Sequence, residues 1–357
     1  MRRGLMGWNP DELPKAALDE RIARLRGRMQ RDGLDAVLFY TNLVRPSAVT
    51  WLTGFTPYWS DGILLVRKDG APVFATALSK RVANWIRSTN PVSEIVNTPR
   101  PGAAIGERLA ASGCRRVGVL EFDGLPAGLY DEVVGAAPAV ELTDASAPFA
   151  AVRRRIDDAE RHLIGRADAL AVAALGELDA GAAKDAGAVA GLVEKHARLA
   201  GAEEAYVAMA PDLDADRRMI RVSRPGPLAG RFALRASVAY KGSWVRRTRT
   251  FAKDRGGGEA ASRGDAWLAR LVSSIEAAKP LAAQLAAQLD DLPGATLNTW
   301  AAESSIGSYP LEVIAGSTSP GPATPAEGTF LVLTVELVID GMRWLGAAPA
   351  FVGGPRR

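Results

Sequence analysis

The sequence predicts an α/β (α+β) protein with two domains, and three observations lead to this prediction. The chain has 357 residues, which is more than one simple core accommodates at about 150 residues per domain. Strand and helix patterns alternate through the first 148 residues, as they do in α/β domains. Later residues combine an alanine- and leucine-rich helical stretch with a long β-rich run, Phe232 to Phe251. We therefore place the domains at residues 1–148 and 149–357.

The first predicted domain begins with an amphipathic helix. Apolar residues recur at helical spacing from Leu18, and Gly33 is a helix stop. A short apolar strand follows at residues 35–40. The next two strands are joined by Lys68-Asp69-Gly70, which is a hairpin signal. The remaining expected elements are helices near 80–87, 104–111 and 129–134 and a strand at 116–120.

The second predicted domain begins with helices. Residues 157–200 have helical spacing with a break near Gly181. After the β-rich run we expect a glycine-rich loop at Arg255 to Gly258 and one long helix from about Ala266 to Leu289. Closing strands are expected at residues 329–338 and 344–352.

Composition excludes several classes of protein. The chain is 48% hydrophobic and 24% charged, which is ordinary for a soluble globular protein. Its net charge of +4 comes from dispersed residues, so we expect no nucleic-acid partner. No apolar run reaches the roughly 18 residues of a membrane span, and the first residues do not resemble a signal peptide. The single cysteine, Cys114, excludes an internal disulfide and fits a cytoplasmic location.

Several segments, taken in order, resemble one family. They are Leu38-Phe-Tyr-Thr-Asn42, Thr50-Trp-Leu-Thr-Gly-Phe55, Val152 to Ala167, and Gly201-Ala202 before Tyr206-Val-Ala-Met209. Together they resemble the creatinase, prolidase and aminopeptidase P family, the M24 peptidases. The resemblance implies a creatinase-type N-terminal α/β domain, a C-terminal pita-bread domain and a homodimer.

The resemblance also implies where a metal site would lie. Metallopeptidases of this family hold two divalent cations with two aspartates, one histidine and two glutamates. By the flanking motifs, the aspartate positions hold Arg235 and Arg246 and the histidine position holds Ser304. The first glutamate is kept as Glu336, whereas the last position falls at or near Leu345. Arginine stays positively charged in proteins and repels cations, so we expect no metal cofactor and no metallopeptidase activity.

Creatinase shows that this fold also supports C–N hydrolysis without metal. Creatinase-like chemistry relies on a histidine ahead of the first aspartate position, and residues 210–219 contain none. The chain's two histidines, His162 and His196, fall in predicted helices, where we expect ordinary helix residues. The sequence therefore does not supply creatinase's own acid–base group.

The remaining charged side chains predict an anion site. We expect Arg217, Arg235, Arg246 and Arg343 to bind a small anionic, amino-acid-like substrate, with Ser304 beside them. Glu312 or Glu336 would carry protons in hydrolysis, elimination or isomerisation. In the alternative, Arg235 and Arg246 pair with Glu336 and Glu312 and merely fill the old metal site. The sequence does not separate these alternatives.

Two aromatic residues complete the set of candidates. Tyr58 and Trp59 lie in the small-domain loop that, in some relatives, reaches the active site of a neighbouring subunit. They would contact substrate if the dimer is kept, or they pack in an interface or core. Three functions stay open: a metal-independent enzyme, a non-catalytic binding or scaffold protein, and, if the motif alignment is wrong, an active Xaa-Pro peptidase.

Overall fold

A computed structural model describes residues 7–57, 60–318 and 323–353. The chain divides into two compact units. The N-terminal unit comprises residues 2–160 together with 305–310, and the C-terminal unit comprises residues 161–304 and 311–357. The sequence placed the domain boundary earlier, at residue 148. The division follows Glu160 because residues just beyond 148 bond within the N-terminal unit: Asp157, for example, accepts hydrogen bonds from Arg21 at 2.6 and 2.8 Å.

The helices and strands of the N-terminal unit alternate, as the sequence predicted. They are α1 (Lys15–Asp32), β1 (Ala36–Thr41), α2 (Ser47–Thr53), β2 (Gly62–Arg67), β3 (Val73–Thr76), α3 (Ala83–Thr89), β4 (Glu94–Asn97), α4 (Pro101–Ala111), β5 (Arg116–Val119), α5 (Ala127–Ala136), β6 (Glu141–Asp144) and α6 (Ser146–Arg153).

The six strands form one mixed sheet in the order β4-β3-β2-β1-β5-β6. Strand β1 pairs antiparallel with β2 and parallel with β5. The predicted hairpin between β2 and β3 is confirmed, and Gly70 has the positive φ, 71°, that such a turn uses. Both faces of the sheet are buried. Val37 and Phe39 point into one core and Ala36 and Leu38 into the other, as alternating strand residues do.

The C-terminal unit and the helix that leads into it are built from long strands and amphipathic helices. The elements are α7 (Asp158–Gly176), α8 (Ala186–Leu199), β7 (Glu204–Ala210), β8 (Arg231–Tyr240), β9 (Ser243–Ala252), α9 (Arg255–Ser274), α10 (Leu281–Leu289), β10 (Ala295–Ser304), β11 (Glu312–Gly316), β12 (Phe330–Ile339) and β13 (Met342–Phe351).

These seven strands form a sheet in the order β11-β10-β12-β13-β9-β8-β7. Neighbouring strands run antiparallel, and β13 joins β9 through the pair Ala347 and Thr248. Alternate residues of β12, such as Leu333 and Val335, share a buried core with Trp267 of α9. The helices thus cover one face of β12, and the residues between these apolar positions point to the other face.

Two sequence predictions in this unit are wrong. The segment Arg255 to Gly258 is the first turn of α9 and not a loop, because Asp254 caps the helix: its Oδ1 accepts a hydrogen bond from the Gly257 amide at 2.7 Å. The predicted long helix ends at Ser274, and a second helix starts after Pro280. Proline lacks the amide hydrogen that a continuous helix would require there.

No helix in the described part of the chain is long and apolar enough to cross a membrane.

Candidate functional site

The strand register collects the candidate arginines and one candidate glutamate on one face of the C-terminal sheet. Arg235 pairs with Thr248, Thr248 with Ala347, and Glu336 with both Leu345 and Thr299. Since paired residues share a face, we call this surface the site face. It carries Arg235 and Ser237 of β8, Arg246 and Thr248 of β9, Arg343 and Leu345 of β13, Thr334 and Glu336 of β12, and Thr299 and Glu303 of β10.

Arg246 is bonded to a carboxylate that the sequence did not single out. Its Nη1 donates a short hydrogen bond to Glu303 Oε1, and its Nε donates to Ser237 Oγ at 3.2 Å. The Glu303 side chain is only 10% exposed. Buried carboxylates are stable when a charge-assisted hydrogen bond replaces lost water. The Arg246–Glu303 pair therefore bridges β9 and β10 as a nearly neutral unit.

Arg235 has no such partner. Within the described residues it forms no ion pair, and its one hydrogen bond runs from Nε to Thr248 Oγ1 at 3.4 Å. Burial and, next in size, the positive charge of Arg246 together lower the pKa of Arg235 to about 10, while Glu303 opposes the shift. A cation that is largely removed from water without a counter-ion is unfavourable. Arg235 is thus a largely buried positive charge without an ion-pair partner among the described residues.

The Glu336 carboxylate is surrounded by hydrogen-bond donors and positive charges. Arg217 Nη1 donates a short hydrogen bond to Oε2, and Arg343 Nε lies 3.4 Å from Oε1. Thr299 Oγ1 donates to Oε2 at 3.2 Å, and Asn298 Nδ2 donates to Oε1 at 3.3 Å. The Glu336 side chain is 3% exposed. Both carboxylate oxygens are therefore engaged by groups of this chain.

The site face carries more positive than negative charge. Arg217, Arg235, Arg246 and Arg343 meet there with two carboxylates, Glu303 and Glu336. Among the described residues of this constellation, two positive charges are in excess. The ion pairs also differ from those that the sequence suggested, because Glu336 pairs with Arg217 and Arg343, and Arg246 pairs with Glu303.

Leu345 gives the site face an apolar border. The register places it directly opposite Glu336, at or near the position where the resemblance expects the last glutamate. It is 7% exposed and packs with Ala210, Leu213 and Ala233, with Met219 beside them. A hydrocarbon side chain therefore stands where a metal ligand would be.

Two predicted site residues, Ser304 and Glu312, lie on the face of the sheet opposite the site face. Ser304 follows Glu303 and points to the opposite face of β10, where its hydroxyl donates to the carbonyl of Phe330 at 2.7 Å. Glu312 pairs with Ser304 in β11 and shares that face. The structure therefore does not bring Ser304 or Glu312 to the site face. Tyr58 and Trp59 lie outside the described residues.

The two histidines occupy helices, as predicted: His162 lies in α7 and His196 in α8. His196 Nδ1 lies 4.0 Å from Glu177 Oε2.

Sequence reasoning missed Glu303 and Thr248 as members of the site. Glu303 directly precedes Ser304, the residue at the expected histidine position. The usable signal was the strand alternation of β10, which puts residues 299, 301 and 303 on one face. Its pairing with Arg246, 57 residues away in sequence, depends on the order of strands in the sheet.

Comparisons with known proteins agree with this architecture. Residues 21–155 match the family model of the creatinase/prolidase N-terminal domain. This match identifies the N-terminal unit as similar to the creatinase/prolidase N-terminal domain. None of the curated proteins matches it by sequence.

Solved structures show the same fold across both units of this chain. It is similar to an Xaa-Pro dipeptidase from Bacillus anthracis, with a TM-score of 0.69, 19% identity and coverage of 94% of this chain and 95% of that one. The prolidase from Pyrococcus horikoshii OT3 gives a TM-score of 0.68 at 15% identity, covering 94% and 96%. The N-terminal domain of FACT complex subunit SPT16 from Cicer arietinum (chickpea) gives 0.65 at 15% identity, covering 95% and 94%. These likenesses show a pita-bread fold.

The residues at the expected ligand positions do not suit a pair of divalent cations. Arg235 and Arg246 would place positive charge against the metals, and Leu345 offers no donor atom. Glu336 could supply oxygens, but both are bonded to guanidinium groups or neutral donors. In the described residues no group of three or more His, Cys, Asp or Glu side chains is arranged to hold a metal ion.

Proposed function

We propose that this protein binds a small anionic, amino-acid-like molecule on the site face and needs no divalent cation to do so. The observation that carries the proposal is the state of Arg235: a largely buried guanidinium beside Arg246, with no carboxylate partner among the described residues. A carboxylate from a ligand would supply the missing counter-ion through two parallel hydrogen bonds.

The neighbours of Arg235 match an amino-acid-like ligand. Glu303 has one oxygen bonded to Arg246, while Oε2 accepts no hydrogen bond from the described residues. That oxygen is free to accept from an amino or amide group of the ligand. Leu345 adds apolar surface for a side chain. Positive, negative and apolar positions thus share one face, as recognition of an amino-acid-like molecule requires.

We further propose that any chemistry at this site is metal-independent C–N hydrolysis, elimination or isomerisation. The arginines would stabilise developing negative charge, a task that metal ions perform in metallopeptidases. Glu303 is the better proton carrier, because one of its oxygens is unengaged. Glu336 instead fixes Arg217 and Arg343 with both of its oxygens. Glu312 pairs with Ser304 on the other face of the sheet and is therefore not a proton carrier at this site.

The experiment is a thermal-shift screen of small carboxylates, including N-acyl and N-methyl amino acids and Xaa-Pro dipeptides, in buffer containing EDTA. We expect at least one compound to raise Tm for the wild type and not for Arg235→Gln. The matched control is Arg247→Gln, since Arg247 is also a partly buried strand arginine, but it is bonded to Asp168 on the other face of β9. If no compound raises the Tm of the wild type, or if the increase in Tm is lost equally in both variants, the proposed site is wrong.

A second candidate is a non-catalytic binding or scaffold protein. Two observations favour it. Both oxygens of Glu336 are already bonded within the protein, and Arg246 is paired with Glu303, so most charged groups of the site face have internal partners. The fold is shared with a domain of a FACT complex subunit. Incubating the compounds that bind with the protein and following them by mass spectrometry separates the two candidates, because a scaffold leaves every compound unchanged.

We also retain a homodimer as part of the proposal. Size-exclusion chromatography with light scattering tests it through the mass of the particle, and a mass of one chain at micromolar concentration would exclude it.

A further inference from the structure

A second positively charged site lies in the N-terminal unit, on residues that the proposed function does not use. Between α1 and the end of α6 there is a cavity of about 330 Å³. Four arginines line it: Arg24, Arg28 and Arg31 of α1, and Arg155 just after α6. The three α1 residues fall at positions i, i+4 and i+7, which places them on one side of the helix.

The guanidinium groups of this cavity are only partly neutralised. Arg28 Nε is paired with Asp32 at 2.6 Å. Arg24 lies 3.5 Å from Asp157, whose carboxylate is more tightly bound by Arg21.

The other two arginines are less engaged. Arg31 and Arg155 form no ion pair within the described residues, and no acidic residue is among the described residues that line the cavity. The Nε of Arg24 is buried there without a hydrogen-bond acceptor. The cavity therefore has a surplus of positive charge and an unsatisfied donor.

Gly27 keeps the cavity open. It lines the cavity from the middle of α1, and a Cβ atom built on it would meet nothing within 4 Å. Glycine inside a helix costs about 1 kcal/mol relative to alanine. No close neighbour explains this glycine, whereas any larger side chain would occupy the empty space. Val152 of α6 contributes an apolar surface to the lining of the cavity.

We propose that this cavity binds a phosphorylated small molecule. Guanidinium groups bind phosphate oxygens in pairs, and several of them together suit a dianion better than a single carboxylate. The volume lies at the lower end of the range of small-molecule sites, about 300–1,000 Å³. The phosphate would contact the arginines, and the organic part would lie against Gly27 and Val152.

Isothermal titration calorimetry of the full chain at low ionic strength tests this proposal. The probes are ribose 5-phosphate and inorganic pyrophosphate, with acetate as the carboxylate control. We expect both phosphates to bind and acetate not to bind. The variant Arg31→Gln/Arg155→Gln should weaken phosphate binding about tenfold or more, since two charge-assisted contacts are lost. Both side chains are exposed, so the fold should be unaffected.

Two further variants make the test specific. Gly27→Glu should abolish binding by placing a carboxylate in the cavity. Arg154→Gln, which removes an exposed neighbouring arginine that does not line the cavity, should change the Kd by less than about twofold. Equal losses in Arg154→Gln and the double variant would mean diffuse electrostatic attraction and would overturn the proposal. Absence of measurable binding to both phosphates would also overturn the proposal. Binding only to a DNA duplex or to polyglutamate, which are included as polyanion probes, would overturn it as well.

Discussion

Leu345 stands directly opposite Glu336 in the ladder between β12 and β13. The resemblance expects one glutamate ligand at Glu336 and another at or near Leu345. Here the one carboxylate that remains is held by Arg217 and Arg343 instead. The site face therefore holds internal ion pairs and one arginine without an ion-pair partner among the described residues.

Removing the Glu336 charge should destabilise the protein. Glu336→Gln leaves Arg217 and Arg343 without their carboxylate, and we expect a loss of about 2–3 kcal/mol in the free energy of unfolding by urea. Arg217→Gln should cost less than about 1 kcal/mol, because the Arg217 side chain is 52% exposed and water replaces its partner. Similar losses for the two variants would contradict this description of Glu336 as a buried anchor.

Removing the Arg235 charge should have the opposite effect on stability. Arg235→Gln relieves the repulsion with Arg246 and the cost of burying a cation, so we expect unliganded protein to gain about 1 kcal/mol. Urea unfolding measures the gain, and Arg247→Gln is the control that should lose stability because Asp168 loses its partner. A destabilised Arg235→Gln would show that Arg235 is satisfied in the unliganded protein.

Glu160 should be essential for the N-terminal unit. Its carboxylate accepts hydrogen bonds from Arg153 and, at 2.8 Å, from Trp51 Nε1, and both charged side chains are 5% exposed. Glu160→Ala leaves Arg153 buried without a counter-ion, which costs about 3–5 kcal/mol. Thermal unfolding followed by circular dichroism measures the loss. Arg154→Gln, at an exposed neighbour, is the control and should leave Tm unchanged; equal Tm values for the two variants would refute the prediction.

Asp35 should contribute to the loss of stability in acid. The hydrogen bond from Lys68 at 2.6 Å, together with the amides of Arg116 and Arg115, holds the pKa of Asp35 well below its usual range. A carboxyl group with a lowered folded-state pKa stabilises the fold above the unfolded-state value of about 3.9, and this stabilisation disappears as the pH falls below it. We expect Tm to fall less steeply from about pH 5 to about pH 3 in Asp35→Asn than in wild type. Parallel curves would contradict this role.

Much of the fold could be predicted because its signals are local. Gly33 ends α1 with a φ of 68°, and Lys68-Asp69-Gly70 closes a hairpin, as the sequence indicated. The turn of helix at Arg255 to Gly258 was missed because glycine favours loops, and the cap from Asp254 together with packing decided otherwise. Local propensity yields to tertiary contacts at such positions.

The site was predictable only in part, because its bonds join residues that are distant in sequence. The motifs of the resemblance grouped Arg217, Arg235, Arg246, Arg343 and Glu336 correctly on one face, but they wrongly added Glu312. The partners of these residues depend on strand order, which places β10 beside β12 and brings Glu303 to Arg246. Arg153 likewise is buried against Glu160, which lies seven residues later in the chain.

The most direct test of the proposal that the site face binds no divalent cation is the metal content of the purified protein. The chain is incubated with manganese, cobalt and zinc, desalted, and measured by inductively coupled plasma mass spectrometry. Because Arg235 and Arg246 occupy the expected aspartate positions and Glu336 is bonded to two arginines, we predict close to zero ions per chain. One or two ions bound per chain would show that these arginines do not exclude metal and would restore the metallopeptidase interpretation.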